Sequence, residues 1–488
     1  MLTLFGIMKR TFVLNLLLLL VLNLLVKPFW IFGIDRVVQI EVGEAEYGLY
    51  YALFNFSFLF NIMLDAGITN FNNRHIAQNR QLLHKHFSWI LSTKLILGVS
   101  YFAITLIGAF ILGYTNEVLP MLLWLMVNQF LASMILYLRS NISGLLMFKQ
   151  DSLLSVLDRI IMSAIVGVLL YGNVTDSAFN IMWFVYAQSI AYLATVLIAF
   201  TLVLIQAKKI QLRIKPIVSM AILKQSLPFA LLILLMTLYS RTDAIMIERL
   251  LPNGAFEAGI YAKGYRLLDA LNNIAYLFAA LLLPMFSKLA KEKKSAKDIV
   301  NAAQNLLIPG ALFVAFICWF YKTDITFLLY PEAGKNTILV FGCLMLGFVA
   351  MAFNYIHGTL LTANNCLKWL NWMAVCALLI NVVLNVCLIP ILGAYGAAIA
   401  TVITQFFTVI IHGYLVSKKG YYQFKLRLLI RWIVFLGILV LGHLILVSLA
   451  LSFMLNMLVL SILALALLFS LSFVQPKQLL QLIKSRIA

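Results

Sequence analysis

Tyr47-Gly48-Leu49-Tyr50-Tyr51-Ala52 and Ala258-Gly259-Ile260-Tyr261-Ala262-Lys263 are the two stretches on which the reading of the fold turns. Gly48 and Gly259 stand 211 positions apart, and each lies at the entry of a long apolar run. Six apolar runs separate equivalent points. An even number of membrane crossings returns a chain to its starting orientation. The echo therefore predicts two repeats related by an axis along the membrane normal, the arrangement of parallel-repeat transporters.

Apolar runs of about 20 residues recur along the whole chain, each long enough to cross the hydrocarbon core as a helix. The spans read 11–34, 46–71, 87–113, 118–138, 152–171, 179–205, 226–250, 258–286, 299–320, 336–362, 368–390, 394–416, 428–449 and 452–474. Residues 428–474 fit either two spans or one interrupted segment. Of the 488 residues 64% are hydrophobic and 11% charged, against about 25% charged in soluble domains. No long polar stretch offers a separate soluble domain, and the period-2 pattern of a membrane barrel is absent. The expected fold is all-α and polytopic, with about 14 transmembrane helices: two six-helix lobes around a central cavity, plus two C-terminal helices. Residues 1–205 form the N-lobe, 206–225 a basic cytoplasmic linker, 226–417 the C-lobe, and 418–488 spans thirteen and fourteen with the tail. Lys9-Arg10 before Leu14–Leu25 resembles a signal peptide. The run lacks a small-x-small cleavage site, so it reads as an uncleaved first helix.

Net charge is +19. In a soluble chain that would suggest nucleic acid, but here the basic residues sit in short loops. Alternate loops and the two termini hold 26 Lys and Arg, and the intervening loops hold 4. That asymmetry predicts an even number of spans with both termini in the cytoplasm. Cys318, Cys343, Cys366, Cys376 and Cys387 form no close CxxC pair and read as small buried hydrophobes.

Ionisable groups inside spans are costly and mark candidate sites. Lys27 precedes Pro28 in the first span, where a proline bend would aim its ammonium into a cavity. Lys263, Arg266, Asp269 and Asn273 recur at helical spacing in the eighth span and form one polar stripe. Arg241 and Asp243 lie deep in the seventh span at i, i+2, so they point apart and each needs another partner, for Asp243 a basic residue of the eighth span. The second span carries Tyr51, Asn55 and Asp65 near one stripe, and Asp65 fits either an ion site or a lock on helix packing. Lys94, Asp158, Arg159, Glu248 and His357 complete the inventory, His357 reading as a hydrogen-bonded core histidine.

Four segments carry a resemblance to a family. They are Val42-Gly43-Glu44-Ala45-Glu46-Tyr47-Gly48-Leu49-Tyr50; Leu64-Asp65-Ala66-Gly67-Ile68-Thr69; Arg241-Thr242-Asp243 with Gly259-Ile260-Tyr261; and Asn385 through Pro390 with Gly393 and Gly396-Ala397-Ala398-Ile399-Ala400-Thr401. In this order the chain resembles the polysaccharide-export branch of the flippase superfamily that also contains the multidrug and toxic compound extrusion transporters. The resemblance covers the whole chain. It implies translocation of undecaprenyl-pyrophosphate-linked oligosaccharide to the periplasmic leaflet of a bacterial inner membrane by alternating access, for O-antigen, capsule or exopolysaccharide synthesis. Membrane lipids and a downstream polymerase or ligase are the further partners it implies; no nucleic acid is expected.

The residue chemistry agrees. A pyrophosphate needs cationic donors in a low-dielectric site, and Lys27, Arg241, Lys263 and Arg266 could supply them, with Tyr51 and Asn55 as neutral contacts. Asp65, Asp243 and Asp269 are candidates for ion coupling or structural ion pairs. The alternatives are a multidrug exporter of the same superfamily, disfavoured by a lysine where a cationic drug wants a carboxylate, and a lipid II flippase, which shares fold and anionic lipid. A membrane glycosyltransferase or polymerase would place acidic groups in a sizeable outer loop, and the outer loops near 35–46 and 321–336 are short. The sequence carries no phosphate-binding GxxxxGK loop, zinc motif or nucleophile elbow. No enzyme activity, metal or cofactor is expected.

Overall fold

The computed structural model describes residues 21–23, 25–65, 67–69, 72–73, 76, 80–172, 174, 177–207 and 216–473. The Lys9-Arg10 flank, the start of the first span, Arg74, residues 208–215 of the linker and the basic tail from 474 lie outside the described residues. All regular structure among the described residues is helical. Residues 21–23 and 25–29 are helical and are called α1. Next come α2 (Arg36–Leu59), α3 (Leu82–Ile111), α4 (Leu119–Gly144), α5 (Phe148–Tyr171), α6 (Ile181–Ala207), α7 (Pro216–Leu250) and α8 (Gly254–Lys291). After these run α9 (Lys297–Phe320), α10 (Lys322–Leu329), α11 (Lys335–Ala363), α12 (Leu367–Leu392), α13 (Ala394–Lys418), α14 (Leu426–Ser448) and α15 (Phe453–Ser470). Twelve of these, α3 to α9 and α11 to α15, are long and apolar enough to cross a membrane. The first two expected spans are not among these twelve: the first begins outside the described residues, and α2 carries acidic residues over its first half.

Three boundaries differ from the sequence reading. The expected outer loop 35–46 is helical. A π-turn over Trp30–Asp35 leads directly into α2, and within α2 only Gly43 leaves helical geometry, at φ 76° and ψ 173°. Pro28 removes one backbone donor just upstream, and a wide π-turn absorbs such a defect. Glu41, Glu44 and Glu46 are good helix formers, so a charged stretch need not be a loop. The second span ends at Leu59 instead of 71. A short 3-10 turn follows over Asn61–Leu64, and Gly67 takes φ 87°, open to glycine without strain. Asp65 accepts hydrogen bonds from the Thr69 backbone N–H at 3.2 Å and from the Thr69 hydroxyl, turning the chain out of the helix. In the segment 321–336, expected to be an outer loop, the eight residues of α10 are also helical. Residues 428–474 resolve into α14 and α15, joined by a turn in which Ala450 has φ 51°.

Contacts divide the chain into two compact units, Met1–Ala262 and Lys263–Ala488. In the first, α6 packs along α4 and α5, and α2 packs along α7. Its core stacks Phe87 on Tyr137 at 6.0 Å between ring centres. In the second, α11 packs on α9 and α13, and α12 lies along α13. Much of the outward surface is apolar, as expected of helices that face lipid: Leu429, Ile433 and Leu441 of α14 are exposed. Cys376 and Cys387 are also exposed on α12, while Cys343 and Cys366 are buried. Only the latter two are the buried hydrophobes expected; the periodicity of an all-apolar helix does not tell which face meets lipid.

The echoed glycines meet. A Cβ on Gly48 would lie 1.8 Å from the carbonyl oxygen of Ala255, and one on Gly259 would lie 2.0 Å from that of Glu44. Glu44 and Ala255 are themselves 211 positions apart, so the crossing has its own local twofold relation. Each glycine sits under the carbonyl four residues before its counterpart. Only a residue without Cβ permits such approach between membrane helices.

Candidate binding site within the membrane

In the first unit, three of the expected site residues come together. On α2, Asn55 is buried and its amide donates to the Tyr51 carbonyl at 2.8 Å. That orientation leaves Asn55 Oδ1 toward α7, where the Arg241 guanidinium reaches it at 3.5 Å. The same guanidinium stands 5.5 Å from the centre of the Phe58 ring. Arg241 is half-buried, so its charge is partly screened from water. Tyr51 in turn stacks on Tyr47, with centroids 6.5 Å apart. The result is an α2–α7 face with one cation, one amide and adjacent aromatic rings. Such a face suits an anionic, hydroxyl-bearing ligand, because guanidinium binds phosphate oxygens directionally.

Lys27 is half-buried on α1 and lies in the electrostatic field of Asp158 and Arg159 of α5. Asn23 of α1 also bonds Ser155 of α5 at 3.1 Å. Arg159 stands 5.6 Å from the Trp30 ring and 5.9 Å from the Tyr192 ring. Asp158 and Arg159 are intramembrane charges that the sequence alone does not single out as site residues. Their position one helix from Lys27 is what adds them. Asp35 was missed because it fell in an expected loop; buried in the π-turn, it accepts from Tyr47 at 2.9 Å and from Gln39 at 3.1 Å.

Asp243 is buried, and the hydroxyl of Tyr261 from the start of α8 donates to it at 2.8 Å. A tyrosine from the start of the eighth span thus meets Asp243. Substituting Tyr261→Phe takes one donor from a buried carboxylate and should cost about 1–3 kcal/mol of stability, read as a lowered melting temperature in detergent. Asp65 forms an ion pair with Lys94 at 2.9 Å, and Lys94 also donates to the Ser133 hydroxyl at 2.8 Å. Elsewhere in this unit Glu248 accepts from Tyr114 at 3.3 Å.

In the second unit, Lys263 is buried, with its ammonium 5.0 Å from the Tyr330 ring centre, in a packed niche beside Thr326 and Thr337. Arg266 and Asp269 are half-buried, and Asn273, which donates to the Asp269 carbonyl at 2.8 Å, is exposed. The stripe on α8 thus runs from a buried to an exposed end. His357 is fully buried and receives the Gln304 amide at 2.9 Å. Asn385 donates to Asn381 one turn back on its own helix, at 3.1 Å.

Comparison with known proteins gives these parts a context. A family model described as polysaccharide biosynthesis protein matches residues 12–290. The chain is similar to an uncharacterised membrane protein of Methanocaldococcus jannaschii, 23% identical over 380 residues, covering 75% of this chain and 88% of the relative. Among solved structures it is similar to the lipid II flippase MurJ in an inward closed conformation, at TM-score 0.64 and 15% identity, covering 95% of this chain and 98% of that one. It also matches an inward-facing multidrug resistance transporter of the MATE family and MOP superfamily, at TM-score 0.61 and 15% identity, covering 80% and 94% of the two chains. At these identities the two structures speak for the fold. The family match spans more than half of the sequence, and the chain is a multi-pass membrane protein that belongs to the polysaccharide biosynthesis protein family.

Proposed function

We propose that this protein is a flippase carrying an undecaprenyl-pyrophosphate-linked oligosaccharide from the cytoplasmic to the periplasmic leaflet, by alternating access, for O-antigen, capsule or exopolysaccharide synthesis. It works without enzymatic chemistry in the inner membrane, with both termini in the cytoplasm. The moving bodies are the two sequence repeats, 1–205 and 226–417, joined by 206–225. The observation that carries the reading is Arg241, presented beside Asn55 and the rings of Phe58 and Tyr51 within the membrane. A guanidinium in a low-dielectric setting favours a diphosphate strongly. Lys27 and Arg266 are the further cations of the path, Lys263 flanks it, and Asp243 and Asp269 hold the cationic surroundings in place. The lipid tail stays in the bilayer throughout.

The test is reconstitution in liposomes with a fluorescent undecaprenyl-pyrophosphate oligosaccharide, scoring exposure in the far leaflet. Wild type should accelerate flipping. Arg241→Ala should lower the rate at least tenfold, the equivalent of about 1.5–3 kcal/mol for a lost charged hydrogen bond, with Lys27→Ala and Arg266→Ala also reduced and folding intact. No flipping by the wild type, together with export of a cationic dye from the same vesicles, would replace this reading with the multidrug exporter.

A further inference from the structure

A cationic cavity lies in the second unit, apart from every residue named above for transport. It encloses about 310 Å³ between the N-terminal halves of α9 and α14, lined by Asn301, Asn305, Lys425, Arg427, Leu428 and Arg431. Asn301 and Asn305 are one turn apart on α9, as Arg427 and Arg431 are on α14, so each helix offers one polar face to the space. None of the three cations has a carboxylate partner among the described residues. The nearest acid on either helix in sequence, Asp298, is exposed and outside the lining.

The walls are held from behind. The Tyr422 hydroxyl lies 2.8 Å from both Asn301 Oδ1 and Gln304 Oε1, fixing the α9 side. Arg431 donates to the Leu471 carbonyl and stands 4.6 Å from the Phe473 ring, fixing the α14 side. Lys425 is the N-cap of α14, so the partial positive charge of that helix end adds to the three side chains. The carboxamide oxygen of Asn305 is buried and accepts no hydrogen bond. Like charges gathered around a preformed space, with an acceptor left over, match an anion that also carries a hydroxyl.

We propose that this cavity binds a phosphate ester at the cytoplasmic face: the three cations hold the phosphate oxygens and Asn305 accepts from a neighbouring hydroxyl. Basic pockets between membrane helices on the cytoplasmic side hold lipid headgroups in this way. The same chemistry could come from a phospholipid such as phosphatidylglycerol or from free phosphate compounds in the cytoplasm. Occupancy would neutralise the repulsion among Lys425, Arg427 and Arg431 and fasten α14 to α9 at the membrane surface.

The test needs no transport assay, so its outcome is separate from that of the flipping experiment. Purified protein in neutral detergent is titrated with phosphatidylglycerol, with phosphatidylcholine of the same chains, and with sodium pyrophosphate, and bound species are counted by native mass spectrometry. Wild type should retain one phosphatidylglycerol in preference to phosphatidylcholine, and Lys425→Gln with Arg427→Gln should weaken it roughly thirtyfold. Arg431 stays intact in that variant because it also ties Leu471, and an unchanged melting temperature shows the fold is kept. Displacement by pyrophosphate shows that the phosphate group alone suffices; retention against it assigns the site to a lipid headgroup. Equal phosphatidylglycerol binding by wild type and variant, or no preference over phosphatidylcholine, overturns the proposal.

Discussion

Replacing Gly48 and Gly259 with alanine should force α2 and α8 apart at their crossing and stop transport. The added methyl groups would sit 1.8 Å and 2.0 Å from backbone carbonyl oxygens. Backbone, unlike a side chain, cannot rotate away, so the helices themselves must separate. Overpacking of this kind costs about 1–3 kcal/mol per site, enough to shift a two-state equilibrium roughly five- to 150-fold. In the proposed orientation this crossing lies near the periplasmic surface, so the closed outer side is the state that loses. The measurement is the distance between spin labels on α2 and on residues 254–262 of α8, made alongside the flipping assay. A broadened, longer distance distribution with flipping below one-tenth of wild type is expected. Gly437→Ala is the control, since a Cβ there meets nothing within 4 Å and should change neither quantity. An unmoved distance in the double variant would sink the idea that this close approach closes anything.

That crossing shows how far sequence alone could go. The echo of Gly48 and Gly259 was legible as a repeat, because glycine in a membrane helix usually marks close packing. That the two copies pack on each other was not legible, since a repeat says nothing about contact. Helix positions were legible from apolar run length, which is a local property: α9, α11 and α12 start and end within a few residues of the spans read. The errors fell where charge and backbone disagree. Residues 35–46 are acidic yet helical, and 60–71 are apolar enough to extend a span yet turn at Asp65 and Gly67. Site residues were legible as isolated costs, since each intramembrane charge needs a reason. Their partners were not, because Asn55 and Arg241 are 186 positions apart and Lys94 and Asp65 are 29 apart. No periodicity links them; only the packing of α2 on α7 and of α3 on the turn after α2 does.

The Lys94–Asp65 pair gives the second large effect and separates two roles for Asp65. Lys94 is 1% exposed, and its ammonium is held by Asp65 at 2.9 Å and the Ser133 hydroxyl at 2.8 Å. Asp65→Asn removes the only carboxylate paired with that buried cation among the described residues. Breaking a buried pair from one side costs about 3–5 kcal/mol, because the remaining charge stays desolvated. Asp65 is 26% exposed, which places the expected loss toward the lower figure. Lys94→Met removes the other charge instead, leaving an anion that reaches water and still accepts from the Thr69 backbone N–H and hydroxyl, so it should cost less. The double variant, Asp65→Asn with Lys94→Met, should recover most of the stability lost by Asp65→Asn, since no buried charge is left without its partner. The decisive comparison is melting temperature and flipping rate across the four proteins. If the double variant regains both, Asp65 acts by holding α3 against the turn after α2. If it regains the melting temperature and still fails to flip, the charged pair itself takes part in the transport cycle beyond holding the helices together.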